Sequence, residues 1–234
     1  MGREIAVVAA HPDDEVLGCG GTIARHAANG DRVRILILAE GATSRGQDGD
    51  GRALALERVK ALRIAGVQAA GLLGAESIEW AGFPDNRMDG VDLLDVVKRV
   101  EGFLGAREPE VVYTHNAGDM NIDHYITHRA VLTAMRPLPG ARFRTVLQFE
   151  IASSTEWGAT VASTPFVPQW FEDVSSTISA KLEALRAYDH EMRSWPHPRS
   201  MEGVAALARW RGATVGVHAA EAFMLGWHIN RQQA

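Results

Sequence analysis

Residues 5–39 read IAVVAAHPDDEVLGCGGTIARHAANGDRVRILILA, and the two ends of this stretch decide the fold. Ile5–Ala10 and Val33–Ala39 are short, uninterrupted apolar runs, as expected of strands buried on both faces. Between them Thr22–Asn29 is compatible with a helix, which Gly30 and Asp31 stop. Strand, helix and strand in one short stretch make a βαβ unit, which implies a parallel sheet and a right-handed crossover.

The rest of the chain extends this pattern. Leu54, Leu56, Val59, Leu62 and Ile64 predict an amphipathic helix ending at Gly66, and Leu93, Leu94, Val97, Val100 and Leu104 a second before Gly105. Val111–Thr114 and Thr145–Ile151 read as further inner strands, and Ile178, Leu182, Leu185 and Met192 as a late helix. The fold class is therefore α/β, a mostly parallel sheet with helices on both faces. Glu40–Arg52, Gly74–Gly90 and Ser153–Gln169 read as loops, none long or biased enough to divide residues 1–234 into more than one domain.

Composition narrows the function classes. The chain has 234 residues, 46% hydrophobic and 23% charged, which suffices for a sizeable core. A net charge of -5 and the lack of any Lys/Arg run argue against nucleic acid or a membrane surface as partner. Only six apolar residues precede His11, too few for a signal-peptide core, so a cytoplasmic protein is expected. The single cysteine, Cys19, cannot form an intrachain disulfide, and among Gly18, Gly20 and Gly21 it reads as a small packing residue rather than a thiolate ligand.

Chemistry concentrates at the end of the first strand, where His11, Pro12, Asp13, Asp14 and Glu15 follow one another. Three carboxylates in one small loop repel each other and desolvate at a cost unless a cation neutralises them. His11 and Asp14, three apart, are able to meet one ion at about 2.0–2.2 Å. A third ligand is sought in Gly118–His128, GDMNIDHYITH, which follows the Val111 strand; His124 and His128 share a face if Asp123 caps a helix there. Two imidazoles and a carboxylate suit zinc, and three protein ligands leave a position for water. Asp13 is then placed to take a proton during attack, the arrangement of a metal-assisted hydrolase.

Ala10-His11-Pro12-Asp13-Asp14-Glu15 with Gly20-Gly21 resembles the signature of the PIG-L (LmbE-like) zinc N-deacetylase family. Asn121-Ile122-Asp123-His124 is similar to that family's second metal motif, and Arg211-Gly212 with Ala220-Glu221-Ala222-Phe223 to its C-terminal segment. The resemblance implies a Rossmann-like fold, Zn2+ or another divalent transition metal on His11, Asp14 and His124, and Asp13 as general base. It also implies hydrolysis of an N-acyl group, most often acetyl, from a small amino sugar, nucleotide sugar or glycoside. Many members carry a histidine where this chain has Asn121; that histidine is thought to stabilise the oxyanion or protonate the leaving amine. Asparagine donates a hydrogen bond but supplies no proton at neutral pH. The acid is then Asp13 returning its proton, His197 of Pro196-His197-Pro198-Arg199, or His115.

Plainer roles stand beside these. Asp13 could support the ligands instead, His128 could pack beside the site, and Glu15 could cap the glycine turn or support His11. His26, His190 and His228 read as solvated surface residues, and His218 has no assigned role. Arg45, Arg87 and Arg199, with Asp85, Trp80, Trp157 and Trp170, are candidates to line a sugar or phosphate pocket, although the indoles serve equally as core anchors. Ala219–Trp227 is apolar enough for a subunit contact in a homo-oligomer. Two other functions stay in view: a zinc enzyme of the same fold acting on a non-sugar substrate, as hydratase or other deacylase, and a nucleotide-binding Rossmann domain. The latter is disfavoured by Ile23, where the third glycine of a phosphate loop would fall.

Overall fold

The computed structural model describes residues 2–45, 51–139, 143–158 and 165–230. The two apolar runs are strands β1 (Glu4–Ala9) and β2 (Arg32–Ala39), paired in parallel with Val7 opposite Ile35. Parallel pairing continues from β2 to β3 (Ser77–Phe83), from β1 to β4 (Val111–His115) and from β4 to β5 (Thr145–Phe149). Strand β7 (Ala220–His228) runs antiparallel to β5, and β6 (Trp170–Asp173) antiparallel to β7. Among the described residues the sheet has seven strands in the order β3-β2-β1-β4-β5-β7-β6.

Alternation along β1 divides the core in two. Ile5, Val7 and Ala9 pack with Leu17, Leu62 and Leu185 from helices α1 (Asp14–Ala28), α2 (Gly51–Leu73) and α6 (Ile178–Ala187). Ala6 and Val8 face the other way, onto Val97, Val100 and Val131 from α3 (Leu93–Gly105) and α4 (Ile122–Ala134). Helices thus cover both faces of the sheet, as the apolar runs imply. No helix among the described residues is long and apolar enough to cross a membrane.

Several elements differ from the sequence expectation. The supposed loop Gly74–Gly90 contains β3, an edge strand whose half-buried residues carry no clean alternation. Within Ser153–Gln169 lies a short helix α5 (Thr155–Gly158), and within Glu40–Arg52 a single turn at Thr43–Arg45. Helix α2 continues past Gly66 because Ala65, Ala69, Ala70 and Leu73 prolong its buried stripe. Met192 falls after the end of α6, and helix α7 (Met201–Val215) escapes notice because it buries only Val204, Ala208 and Gly212. Ala219–Trp227 enters the sheet as most of β7.

Helix α1 starts at Asp14 rather than Thr22 and breaks at Cys19 (φ −148°, ψ 27°). The break leaves the amides of Gly21 and Thr22 to donate to the Glu221 carboxylate at 3.0 and 2.7 Å. Lys181 Nζ lies 2.6 Å from Glu221 Oε1 and donates to Leu17 O at 2.8 Å, so the buried charges are paired and hydrogen-bonded. Cys19 is buried, as its packing role requires. Gly18 lets α1 approach β5: a Cβ there would sit 2.5 Å from the Phe149 ring. Gly18→Ala is expected to lower stability by about 1–3 kcal/mol through overpacking. A urea titration checks this, and an unmoved midpoint at unchanged slope would contradict so close a contact.

The connection from β1 through α1 leads to β2 on one side of β1, while β4 lies on the other. Strand order therefore reverses between β1 and β4, and a crevice opens beyond their carboxyl ends. The His11 loop follows β1, and residues 116–121 follow β4.

Candidate active site and metal centre

Both loops at this crevice place their histidines and carboxylates together. His11 Nδ1, Asp14 Oδ2 and His124 Nε2 form a triangle with all three edges 3.2 Å. A tetrahedral ion with bonds near 2.0 Å needs ligand atoms about 3.3 Å apart, so two nitrogens and an oxygen stand where a zinc-like divalent cation would take them. They open into a polar pocket of about 110 Å³, whose walls include Asp13, Asn121, Ser153 and Arg199.

Each imidazole is backed by a carboxylate. His11 Nε2 lies 3.0 Å from Asp123 Oδ2, and His124 Nδ1 lies 2.9 Å from Asp119 Oδ1. Such partners fix the ring and its tautomer, so that the other nitrogen is free to face a cation held at the triangle. Asp123 is itself held by the amides of Asn86 and Met88 at 2.7 and 2.9 Å, and Asp119 by Thr155 Oγ1 at 2.6 Å and by Ser154 Oγ. Asp123 does not cap α4; Asn121 does, its side chain accepting from the Asp123 amide at 2.8 Å.

A second ligand-like group shares His11: Asp123 and Asp85, whose Oδ1 is 3.4 Å from His11 Nε2. Protein donors already occupy these carboxylates, since Asp85 also accepts from Ser44 and Asn86. Asp123 is fully buried and is not a wall of the pocket. All three residues of the His11, Asp14 and His124 triangle line the pocket, whereas of the second group only His11 and Asp85 do.

The electrostatics favour a cation. Burial opposes a charge on His11, but hydrogen bonds to Asp123 and Asp14 outweigh it and lift its pKa to about 10. Burial likewise opposes a charge on His124, and Asp14 and Asp119 lift its pKa to about 9. Burial works against ionised Asp14 as well, yet His124 and His11 hold it well below the usual carboxylate range. Surroundings that strengthen proton binding at two imidazoles strengthen the binding of any cation.

Asp13 sits beside the triangle with its backbone in the left-handed region, φ 99°, where a non-glycine residue costs about 1–3 kcal/mol. Glu15 compensates: one oxygen accepts from the Asp13 amide at 3.1 Å and the other from Tyr188 Oη at 2.6 Å. Glu15 therefore holds Asp13 rather than His11 or the glycine turn. Arg199 Nη1 donates to Asp13 Oδ2 at 3.0 Å, and Arg199 Nε to Ser153 Oγ at 3.1 Å. Burial raises the Asp13 pKa to about 7 against the pull of Arg199.

The other candidates fall at differing distances from this centre. His115 is fully buried, stacked on His124 with ring centres 3.9 Å apart, its Nε2 accepting from the Ala10 amide at 2.8 Å. Burial and His124 push its pKa well down. His128 Nδ1 lies 3.0 Å from His115 O, packed behind the site. His197 is half-buried, accepts from the Arg199 amide at 3.0 Å and meets Trp157 edge-on, and it is not a wall of the pocket. Arg87 is exposed and likewise not a wall, while the side chain of Arg45 lies outside the described residues. Trp80 packs on the core, and Trp170 Nε1 donates to Glu172. His26 is no surface residue: it is buried, with Nδ1 2.7 Å from Asp31 and Nε2 2.9 Å from Tyr113 Oη.

Comparison with known proteins agrees with this geometry. The sequence profile described as PIG-L, GlcNAc-PI de-N-acetylase, matches residues 6–135. The chain is 28% identical over 192 residues to the uncharacterized deacetylase YaiS of Escherichia coli, covering 80% of this chain and 90% of that protein. It is also 28% identical over 225 residues to a 1D-myo-inositol 2-acetamido-2-deoxy-alpha-D-glucopyranoside deacetylase of Mycobacteroides abscessus, covering 80% of each. In fold it is similar to the 4-carboxy-2-hydroxymuconate hydratase GalB of Pseudomonas putida, with a TM-score of 0.77 at 23% identity, covering 99% of this chain and 100% of that one. The profile spans more than half of the sequence, including His11, Asp14 and His124, and the chain belongs to the PIG-L family of amide-hydrolysing deacetylases.

Proposed function

We propose that this protein is a zinc-dependent hydrolase that removes an N-acetyl group from a small, sugar-derived substrate. The observation that carries the reading is the 3.2 Å triangle of His11, Asp14 and His124 with Asp13 held beside it by Arg199 and Glu15. When bound there, zinc would polarise the acyl carbonyl and make water acidic enough to react near neutral pH. The chain's own residues do the rest. Asp13, kept at the pocket by its strained backbone and by Arg199, accepts a proton from the attacking water. Asn121 spends one amide hydrogen on Asn86 Oδ1 at 2.9 Å, leaving the other for the carbonyl oxygen.

With no histidine at position 121, Asp13, a wall residue beside the triangle, takes the task of returning a proton to the departing amine. His197 stands one step back, behind Arg199, as the alternative donor. Arg199, taken from the sequence as a substrate ligand, serves this reading first as the partner of Asp13. Arg45 and Arg87 remain candidates for substrate contact. The sugar class rests on relatives named as deacetylases of an acetamido-glucopyranoside.

The test is a product assay by mass spectrometry, with the zinc-loaded protein and a panel of N-acetylated amino sugars, nucleotide sugars and unsaturated acids. Acetate released together with a new primary amine is the expected result. Addition of water to an unsaturated acid, with no acetate from any amide, would replace the deacetylase reading by the hydratase one.

A further inference from the structure

The metal pocket is too small for a whole substrate. At about 110 Å³ it lies below the roughly 300–1,000 Å³ of ordinary ligand sites, room for an acyl group and water. Next to it lies a cavity of about 460 Å³ between α2 and the end of α6, within that range. Gly41 and Glu191 are walls of both spaces, which places the boundary between the two, here termed the neck, at these residues. Gly41 has φ +81°, where a side chain is strained, and a Cβ there would sit 2.7 Å from Pro12 Cδ. A residue without a side chain lets this segment pack directly on Pro12 and Leu62.

The cavity has a mixed lining. Ala42, Ala61, Leu62 and Ala187 supply apolar surface, and Glu57, Arg58 and Glu191 supply charge. Within the cavity itself the two carboxylates, Glu57 and Glu191, outnumber the one guanidinium, Arg58, with His190 beside them among the described walls. Apolar patches beside carboxylate acceptors suit a ring that presents C–H faces, hydroxyls and an amine, and they repel phosphate.

We propose that this cavity holds the amine half of the substrate, with the scissile C–N bond at the Gly41–Glu191 neck, and that it selects uncharged or cationic hexosamines over phosphorylated ones. This rests on the deacetylase reading above. Acid groups at the neck receive the amine as it leaves, and the acyl half stays at the metal triangle.

The test separates the two halves by binding. Zinc-loaded wild type, Ala61→Trp and Ala187→Trp are titrated with acetate, glucosamine and glucosamine 6-phosphate. The two substitutions fill the cavity from opposite walls, so one informative variant remains if the other fails to fold. Glucosamine affinity is expected to fall at least about tenfold in each folded variant while acetate affinity stays as in wild type. Wild type is expected to bind the phosphorylated probe about tenfold more weakly than glucosamine. Unchanged glucosamine affinity in the filled variants, tighter binding of the phosphorylated probe, or acetate binding without any glucosamine binding at millimolar concentration would each overturn the proposal and leave the deacetylase reading standing. Absence of acetate binding to zinc-loaded wild type would instead remove that reading, and this proposal with it.

Discussion

Asp13→Asn is expected to keep the metal and lose about 10²–10⁴-fold in kcat, the range for removal of a positioned general base. The substitution changes little else. Asparagine has the same shape, still accepts from Arg199, and tolerates the left-handed backbone at φ 99° better than most residues. None of the three triangle atoms belongs to Asp13, so the ion's surroundings lose no ligand. Only the capacity to accept a proton goes. Steady-state kinetics and metal analysis on one preparation check this. Loss of metal would place Asp13 among the ligands, and undiminished kcat would give the base's role to another residue.

His11→Ala should have the opposite signature, with zinc falling from close to one ion per chain to nearly none, and turnover falling with it. Loss of a supporting carboxylate alone weakens metal sites by about 10–100-fold, and loss of a ligand exceeds that. His11 also separates two groups of negative charge, Asp14 on its Nδ1 side and Asp85 with Asp123 on its Nε2 side. Without the imidazole these carboxylates face one another, and His124 Nε2 is the one nitrogen of the triangle left beside them. The loop itself should persist, because the Asp13 carbonyl still accepts from the amides of Val16 and Leu17 at the start of α1. Metal analysis after dialysis, together with circular dichroism, separates metal loss from unfolding. A folded variant retaining a full zinc would exclude His11 as a ligand.

How much of this was legible in the sequence depends on how local each feature is. The βαβ unit shows because both strands are buried on both faces, which leaves continuous apolar runs. The His11–Asp14 pair shows because its three-residue spacing closes within one turn. Elements at the edges do not: β3 is half-buried at every position but the exposed Gly82, and the end of β7 is mostly exposed, so neither carries a clean periodicity.

The supporting cast of the site was hidden for a different reason. Asp119 and Asp123 are visible as acids within GDMNIDH, but which imidazole each backs depends on how the loop after β4 meets the loop after β1. Arg199 reaches Asp13 across 186 positions, and Tyr188 reaches Glu15 across 173; neither pairing leaves a trace in local spacing. His26 reads as surface because its helix looks exposed in sequence, although its ring reaches Tyr113 on a strand 87 positions away. Asn121 was legible as a departure, whereas its task of capping α4 was not.

The central claim is that one metal ion sits at the triangle opening into the polar pocket. Anomalous diffraction at the zinc edge, from crystals of the zinc-loaded protein, addresses it directly. A single strong peak within bonding distance of His11 Nδ1, Asp14 Oδ2 and His124 Nε2 is the expected result. A peak instead among His11 Nε2, Asp85 and Asp123, or no peak near His11, would contradict it.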